Sequence, residues 1–351
     1  MASSRVGPGP LQGGARGPHR RRRRRLLLVR IAVLVAIAAL GAVLLTAGGQ
    51  DARRRVRAHA APGSSADAQR SPAVTPEPRK HEDAYATVAA PPGQQVNPRF
   101  VKPPRGGMLF DLRSGRVLWA WRPTQTRSIA SLTKMMTALL VAEREPPDAR
   151  PLVTREALRY QGSGVGLLPR GKRVGLLPLL YGLMLPSGND AARVLAQDVG
   201  HGSIPAFVAA MNEKAHQLGL TCTHFAGPDG YDDANRSCPR DLARLARAVM
   251  AKPLLRRVVG TPFVEFPFPI KGRKLYLAGH NPLYRLRYRG WRGIKTGYSP
   301  AAGECFVGVA RHGATWLGVV LLDSPNAGMQ AVKLLDRGFA AERRRAFAPP
   351  G

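Results

Sequence analysis

The chain has 351 residues and 54 Lys and Arg against 22 Asp and Glu, a formal net charge of +32. Residues 1–80 hold 16 of those bases against 3 acids, so the remainder keeps an excess of 19 positive charges on a length ample for a real core. With no nucleic-acid-binding motif in the sequence, a nucleic-acid partner is excluded, which leaves anionic polymers, lipid surfaces or plain solvated arginines to account for the charge.

In chain order, residues 1–25 are Gly, Pro and Arg and end in the arginine run 20–25, and they read as a basic cytoplasmic tail. Residues 26–47 are apolar except for Arg30 and Thr46 and match the ~20 residues a bilayer core demands of a helix. They are predicted to be a single-pass transmembrane anchor. The flanking arginines keep the N-terminus in the cytoplasm and export the rest, although Arg53, Arg54, Arg55 and Arg57 weaken the asymmetry. The alternative is a signal cleaved near Ala58-His59-Ala60, leaving a secreted protein. Residues 48–105, rich in Ala, Pro, Ser and charge without a period, read as a disordered linker before a folded domain at 106–345.

Within that domain, 108–111 and 117–121 are short apolar runs joined across Arg113-Ser114-Gly115, a predicted hairpin. Ile129, Leu132, Met135, Met136, Leu139 and Leu140 then recur at helical spacing until Pro146 and Pro147. From 153 to 250 the pattern is helical. A helix is expected over 178–185, another capped by Ser203 and ended by Gly219, and a third capped by Ser237 with Pro239 in its first turn. Residues 264–268 and 274–277 suit a small hairpin, 293–297, 305–310 and 315–322 three further strands, and 325–343 a final helix. Strands at both ends with helices between predict an α+β fold: an antiparallel five-stranded sheet flanked by helices, with an inserted helical lobe. In an oxidising compartment three cysteines permit one disulfide, assigned to Cys222 and Cys238, which flank a Gly-, Pro- and Asp-rich loop.

Three stretches carry chemistry. Ser131 and Lys134 lie three residues apart at the start of an apolar helix, close enough to share a proton. Ser187 and Asn189 sit on a tight turn between helices, and Lys295 and Thr296 on an apolar strand ending in Gly297. Each has an ordinary explanation by itself: a chance match, a helix cap, a solvated edge lysine. Their joint occurrence in this order, on helix, loop and strand, defeats all three, since serine, serine and lysine motifs so placed form a catalytic set.

Over roughly residues 106–325 the sequence resembles the penicillin-binding serine D-alanyl-D-alanine carboxypeptidases of low molecular mass, whose fold is β-lactamase/transpeptidase-like. The likeness extends to Ile129 and Ala130, to Leu185-Pro186-Ser187-Gly188-Asn189-Asp190, to Met211-Asn212, Asp241-Leu242-Ala243 and the stretch 293–303. The resemblance implies that Ser131 attacks the penultimate D-alanine carbonyl of a peptidoglycan stem peptide, with Lys134 as base and Ser187 relaying the proton. Lys134 must then be neutral near pH 7, well below its ordinary ~10.4, through burial and the nearby Lys295. The resemblance further implies that Asn189 holds Lys134 and the substrate backbone and that Lys295 and Thr296 bind the terminal carboxylate. Gly297 would let substrate lie against the strand, and the N–H groups of Ser131 and Tyr298 would form the oxyanion hole. No metal or cofactor is needed, and β-lactam antibiotics would be covalent inhibitors.

Two departures stand out. The stretch 171–177 lacks the acidic residue usual ahead of the Ser187 helix, and the Arg-rich stretch 284–292 has no role assigned beyond charge. A β-lactamase would need a Glu-x-x-Leu-Asn loop after Lys134, which is absent, and a wall-binding or sensor protein would not require an intact nucleophile and base.

Overall fold

The structure, a computed structural model, describes residues 84–347. The expected cytoplasmic tail and the anchor at 26–47 lie outside the described residues. Among those described, no helix is long and apolar enough to cross a membrane.

In chain order the elements are β1 (Val88–Ala89), β2 (Gly106–Asp111), β3 (Arg116–Trp121), β4 (Arg127–Ser128) and a 3₁₀ turn (Ala130–Thr133). The turn opens α1 (Lys134–Arg144), and α2 (Leu176–Met184), α3 (Asn189–Val199) and α4 (Ile204–Gln217) follow. Next come β5 (Arg236–Ser237), α5 (Pro239–Ala251), α6 (Pro253–Val259), β6 (Phe263–Pro267), β7 (Lys274–Ala278) and α7 (Pro282–Arg285). Then β8 (Trp291–Ser299), β9 (Gly303–His312) and β10 (Thr315–Leu322) lead into α8 (Ala327–Phe347).

The main sheet runs β1-β3-β2-β10-β9-β8, so strands from both ends of the sequence meet at its centre, where β10 pairs antiparallel with β2. Side chains alternate along each strand, and both faces are therefore covered. On β10, Leu317, Val319 and Leu321 pack against Ala331, Leu334, Leu335 and Phe339 of α8. From the opposite face, Val320 and Leu322 join the larger core built with α1 to α6. Burial of apolar surface on both faces makes this sheet the rigid plate on which β8, its outermost strand, is held.

Three expectations are corrected. The sheet has six strands, because Val88–Ala89 pairs parallel with β3. Residues 84–105, within the expected linker, pack on the body: Ala90 is buried, Phe100 meets the Trp119 ring, and the Arg247 guanidinium donates to the carbonyl of Ala86. A two-residue parallel edge has no turn signal and no alternation, so composition alone reads it as tail. Nor does Ser237 cap α5. Cys238 occupies that position, while Ser237 belongs to β5 and its Oγ meets Thr223 Oγ1 at 2.8 Å. The Ser203 hydroxyl does cap α4, accepting from the Ala206 N–H.

Candidate active site

The nucleophile turn is wedged between β8 and the helical lobe. At three residues per turn a 3₁₀ segment eclipses side chains three apart, so the step from Ser131 into α1 stacks Lys134 over it. Lys134 Nζ lies 2.9 Å from Ser131 Oγ. That amine is fully buried and donates to Asn189 Oδ1 at 2.6 Å and to the carbonyl of Asp229. Burial pushes its pKa down to about 7, against the opposing pull of the Asp229 and Asp190 charges.

Asn189 is the first residue of α3. Its backbone N–H donates to Ser163 O at 2.8 Å and its amide nitrogen to Gln161 O at 2.5 Å, which fixes its carbonyl toward Lys134. Beside it Asp190 accepts from the N–H groups of Val165 and Gly166, tying the 163–166 loop to the helix start. Ser187, one residue before the Gly188 cap, has φ 66°, and its buried hydroxyl has no hydrogen-bond partner among the described residues. It stands two residues before Asn189 in the chain and makes no hydrogen bond to Lys134.

Lys295 is not a solvated edge lysine. It is 2% exposed, and its Nζ donates to the carbonyl of Thr296 at 3.0 Å. Burial first, then the charge of Lys134, hold its pKa well below the ordinary lysine value. Thr296 is half-buried beside it on β8. At Gly297 the strand touches the nucleophile turn: an added Cβ would stand 2.9 Å from Ile129 O and 3.2 Å from Ser131 N.

A cleft of about 350 Å³ opens from Ser131, with Asn189 on one wall and Tyr298, Ser299 and Pro300 on the other. The Tyr298 side chain is 74% exposed. Lys295, Thr296 and Ser187 lie outside the lining of this cleft, which therefore runs from the nucleophile toward the end of β8.

Sequence reasoning missed the floor of the site. Cys222 and Cys238 form a disulfide, with Cα atoms 5.8 Å apart, and the loop between them presents Asp229, Gly230, Tyr231 and Asp233. Gly230 has φ 78°, and a Cβ there would fall 2.0 Å from Ala130 O, so the loop presses directly on the nucleophile turn. Pro228-Asp229-Gly230 was legible as a turn, but nothing in it announces that a backbone carbonyl will hold the lysine. Cys305 remains a buried thiol.

The sequence profile of the D-alanyl-D-alanine carboxypeptidase family matches residues 104–326. A D-alanyl-D-alanine carboxypeptidase of Mycobacterium tuberculosis is 34% identical over 247 residues, 68% of this chain and 83% of that protein. The D-alanyl-D-alanine carboxypeptidase of Streptomyces sp. strain K15 is 34% identical over 73% of this chain and 94% of its own. A D-alanyl-D-alanine endopeptidase of Pseudomonas aeruginosa is 32% identical over 69% and 78%. Among solved structures, the Streptomyces K15 DD-transpeptidase superposes with a TM-score of 0.66 at 33% identity, over 70% of this chain and 100% of that one.

Proposed function

Since this chain belongs to the D-alanyl-D-alanine carboxypeptidase family, we propose that it removes the terminal D-alanine from peptidoglycan stem peptides through an acyl-enzyme on Ser131. It is a serine-type hydrolase. The contact that carries the reading is Lys134 Nζ at 2.9 Å from Ser131 Oγ, made by an amine whose pKa is lowered to about 7. A neutral amine has two N–H donors and one lone pair. The carbonyls of Asn189 and Asp229 take the two donors, which leaves the lone pair for the proton of Ser131.

As the Ser131 oxygen bonds to the penultimate carbonyl carbon, its proton passes to Lys134. The C–N bond then breaks, and the proton goes to the departing D-alanine amine by way of Ser187. The oxyanion is held by the N–H groups of Ser131 and Tyr298, and Lys295 with Thr296 receives the terminal carboxylate. Water, or an amine in its place, then takes the acyl group. A β-lactam enters by the same attack and stays, because its ring opening leaves no departing group. On sequence, residues 26–47 anchor the enzyme in the membrane with the catalytic domain outside the cell.

The test is release of D-alanine from a pentapeptide stem by the full chain, together with labelling by a fluorescent penicillin. One covalent adduct on Ser131, absent in Ser131→Ala, and D-alanine release lost in the same variant are expected. A wild type that neither labels nor releases D-alanine would support a binding protein, and rapid turnover of the penicillin a β-lactamase.

A further inference from the structure

Resting on the carboxypeptidase reading, we infer that Asp233 is a specificity-determining residue that selects stem peptides whose residue immediately before D-Ala-D-Ala carries a free side-chain amine. The direction of the substrate follows from the site. With the terminal carboxylate at Lys295 and Thr296 and the scissile carbonyl at Ser131, an extended peptide paired along β8 leaves the nucleophile past Tyr298, Ser299 and Pro300. That is the course of the open cleft. Each extended residue advances about 3.3 Å, so the residue before the penultimate D-alanine lies opposite Ser299.

Asp233 stands at that point. Its Oδ1 accepts from Ser299 Oγ at 2.8 Å and from Ser128 Oγ at 3.3 Å, while Oδ2 has no donor among the described residues. Among the described residues that line the cleft it is the one carboxylate, and none of them is a lysine or an arginine. In a body with an excess of 19 positive charges, a cleft that presents a single negative group and no basic one is arranged for a cation. Tyr231 and Tyr298, 54% and 74% exposed, flank it and supply ring surface for the methylenes that lead to an amine, with their faces open to the ammonium. The position is also fixed in advance. Asp233 belongs to the loop closed by Cys222 and Cys238, and its two serine donors come from the residues bracketing the nucleophile turn and β8.

The experiment compares Nα-acetyl-L-Lys-D-Ala-D-Ala with its Nε-acetylated counterpart, in the wild type and in Asp233→Asn, which keeps the oxygen acceptor for both serines and loses the charge. Wild type should favour the free amine by about fivefold in kcat/KM, the effect of a partly exposed ion pair. The preference should shrink at high salt. Asp233→Asn should abolish it, bringing kcat/KM for the two peptides to the same value. Equal rates on both peptides in the wild type, or a variant slowed alike on both, would overturn the assignment, the second by making Asp233 a loop tether. Hydrolysis of neither peptide would overturn the carboxypeptidase reading itself, and this inference with it.

Discussion

If Lys134 is the base, its protonation state should set the rate. With a pKa of about 7, roughly one tenth of the molecules hold the neutral amine at pH 6 and roughly nine tenths at pH 8. kcat/KM for D-alanine release reports the free enzyme, so it should climb about ninefold over that interval. The same displacement has a stability signature. Folded Lys134 titrates near 7 and an unfolded lysine near ~10.4, so between these values the unfolded chain binds the extra proton. Stability should therefore be lowest below pH 7 and recover as pH rises toward 10, by about 1.4 kcal/mol per unit for one full proton. Urea unfolding should show stability rising between pH 7.5 and 9, and the rise should be smaller by ~2 kcal/mol in Lys134→Met, which cannot titrate, while the depressed Lys295 contributes with the same sign in both proteins. In Lys134→Arg, which stays cationic, D-alanine release should be lost at every pH. A kcat/KM that is flat from pH 5.5 to 8.5, or a rise centred above pH 9, would refute the neutral-lysine mechanism.

Gly297→Ala sets a methyl group 2.9 Å from Ile129 O, so β8 or the nucleophile turn must shift. Acylation by a fluorescent penicillin should slow by at least tenfold for a stability loss of about 1–3 kcal/mol, read by stopped-flow and thermal unfolding. Gly230→Ala combines positive φ with a Cβ 2.0 Å from a carbonyl oxygen, and calorimetry should show a loss of about 3 kcal/mol or more. Replacing Cys222 and Cys238 together by Ser opens a loop spanning a sequence separation of 16, with an expected loss of about 3 kcal/mol in denaturant titrations. Because that loop also supplies the Asp229 carbonyl, acylation should slow in the folded fraction as well.

What the sequence discloses here is whatever has a local period or a local chemistry. β2, β3, β9, β10 and the terminal helix follow from alternation and helical spacing, and Ser131, Lys134, Ser187, Asn189, Lys295 and Thr296 follow from three short motifs. The missing parts depend on distant partners. Val88–Ala89 is a strand only because β3 offers it an edge, and Asp229 matters only through a carbonyl that every residue possesses. Gly297 shows the same limit in a subtler form. Its smallness is legible, but which neighbour requires it is settled by how close the nucleophile turn comes. Lys295 is picked out as a site residue only by its company with the other two motifs, and nothing in Gly293-Ile294-Lys295 reveals that its aliphatic stem and amine will both be buried.

The placement of β1 has a mechanical consequence. It forms one border of the sheet and β8 the other, so about five strand spacings, roughly 24 Å, separate the point where the chain enters the sheet from the catalytic strand. A pull on the N-terminal side would be borne first by the two-residue parallel pairing with β3 and by the clamp of Arg247 on Ala86. Those attachments can peel away while the central pairing of β2 with β10, and the strand beside Ser131, carry none of the load.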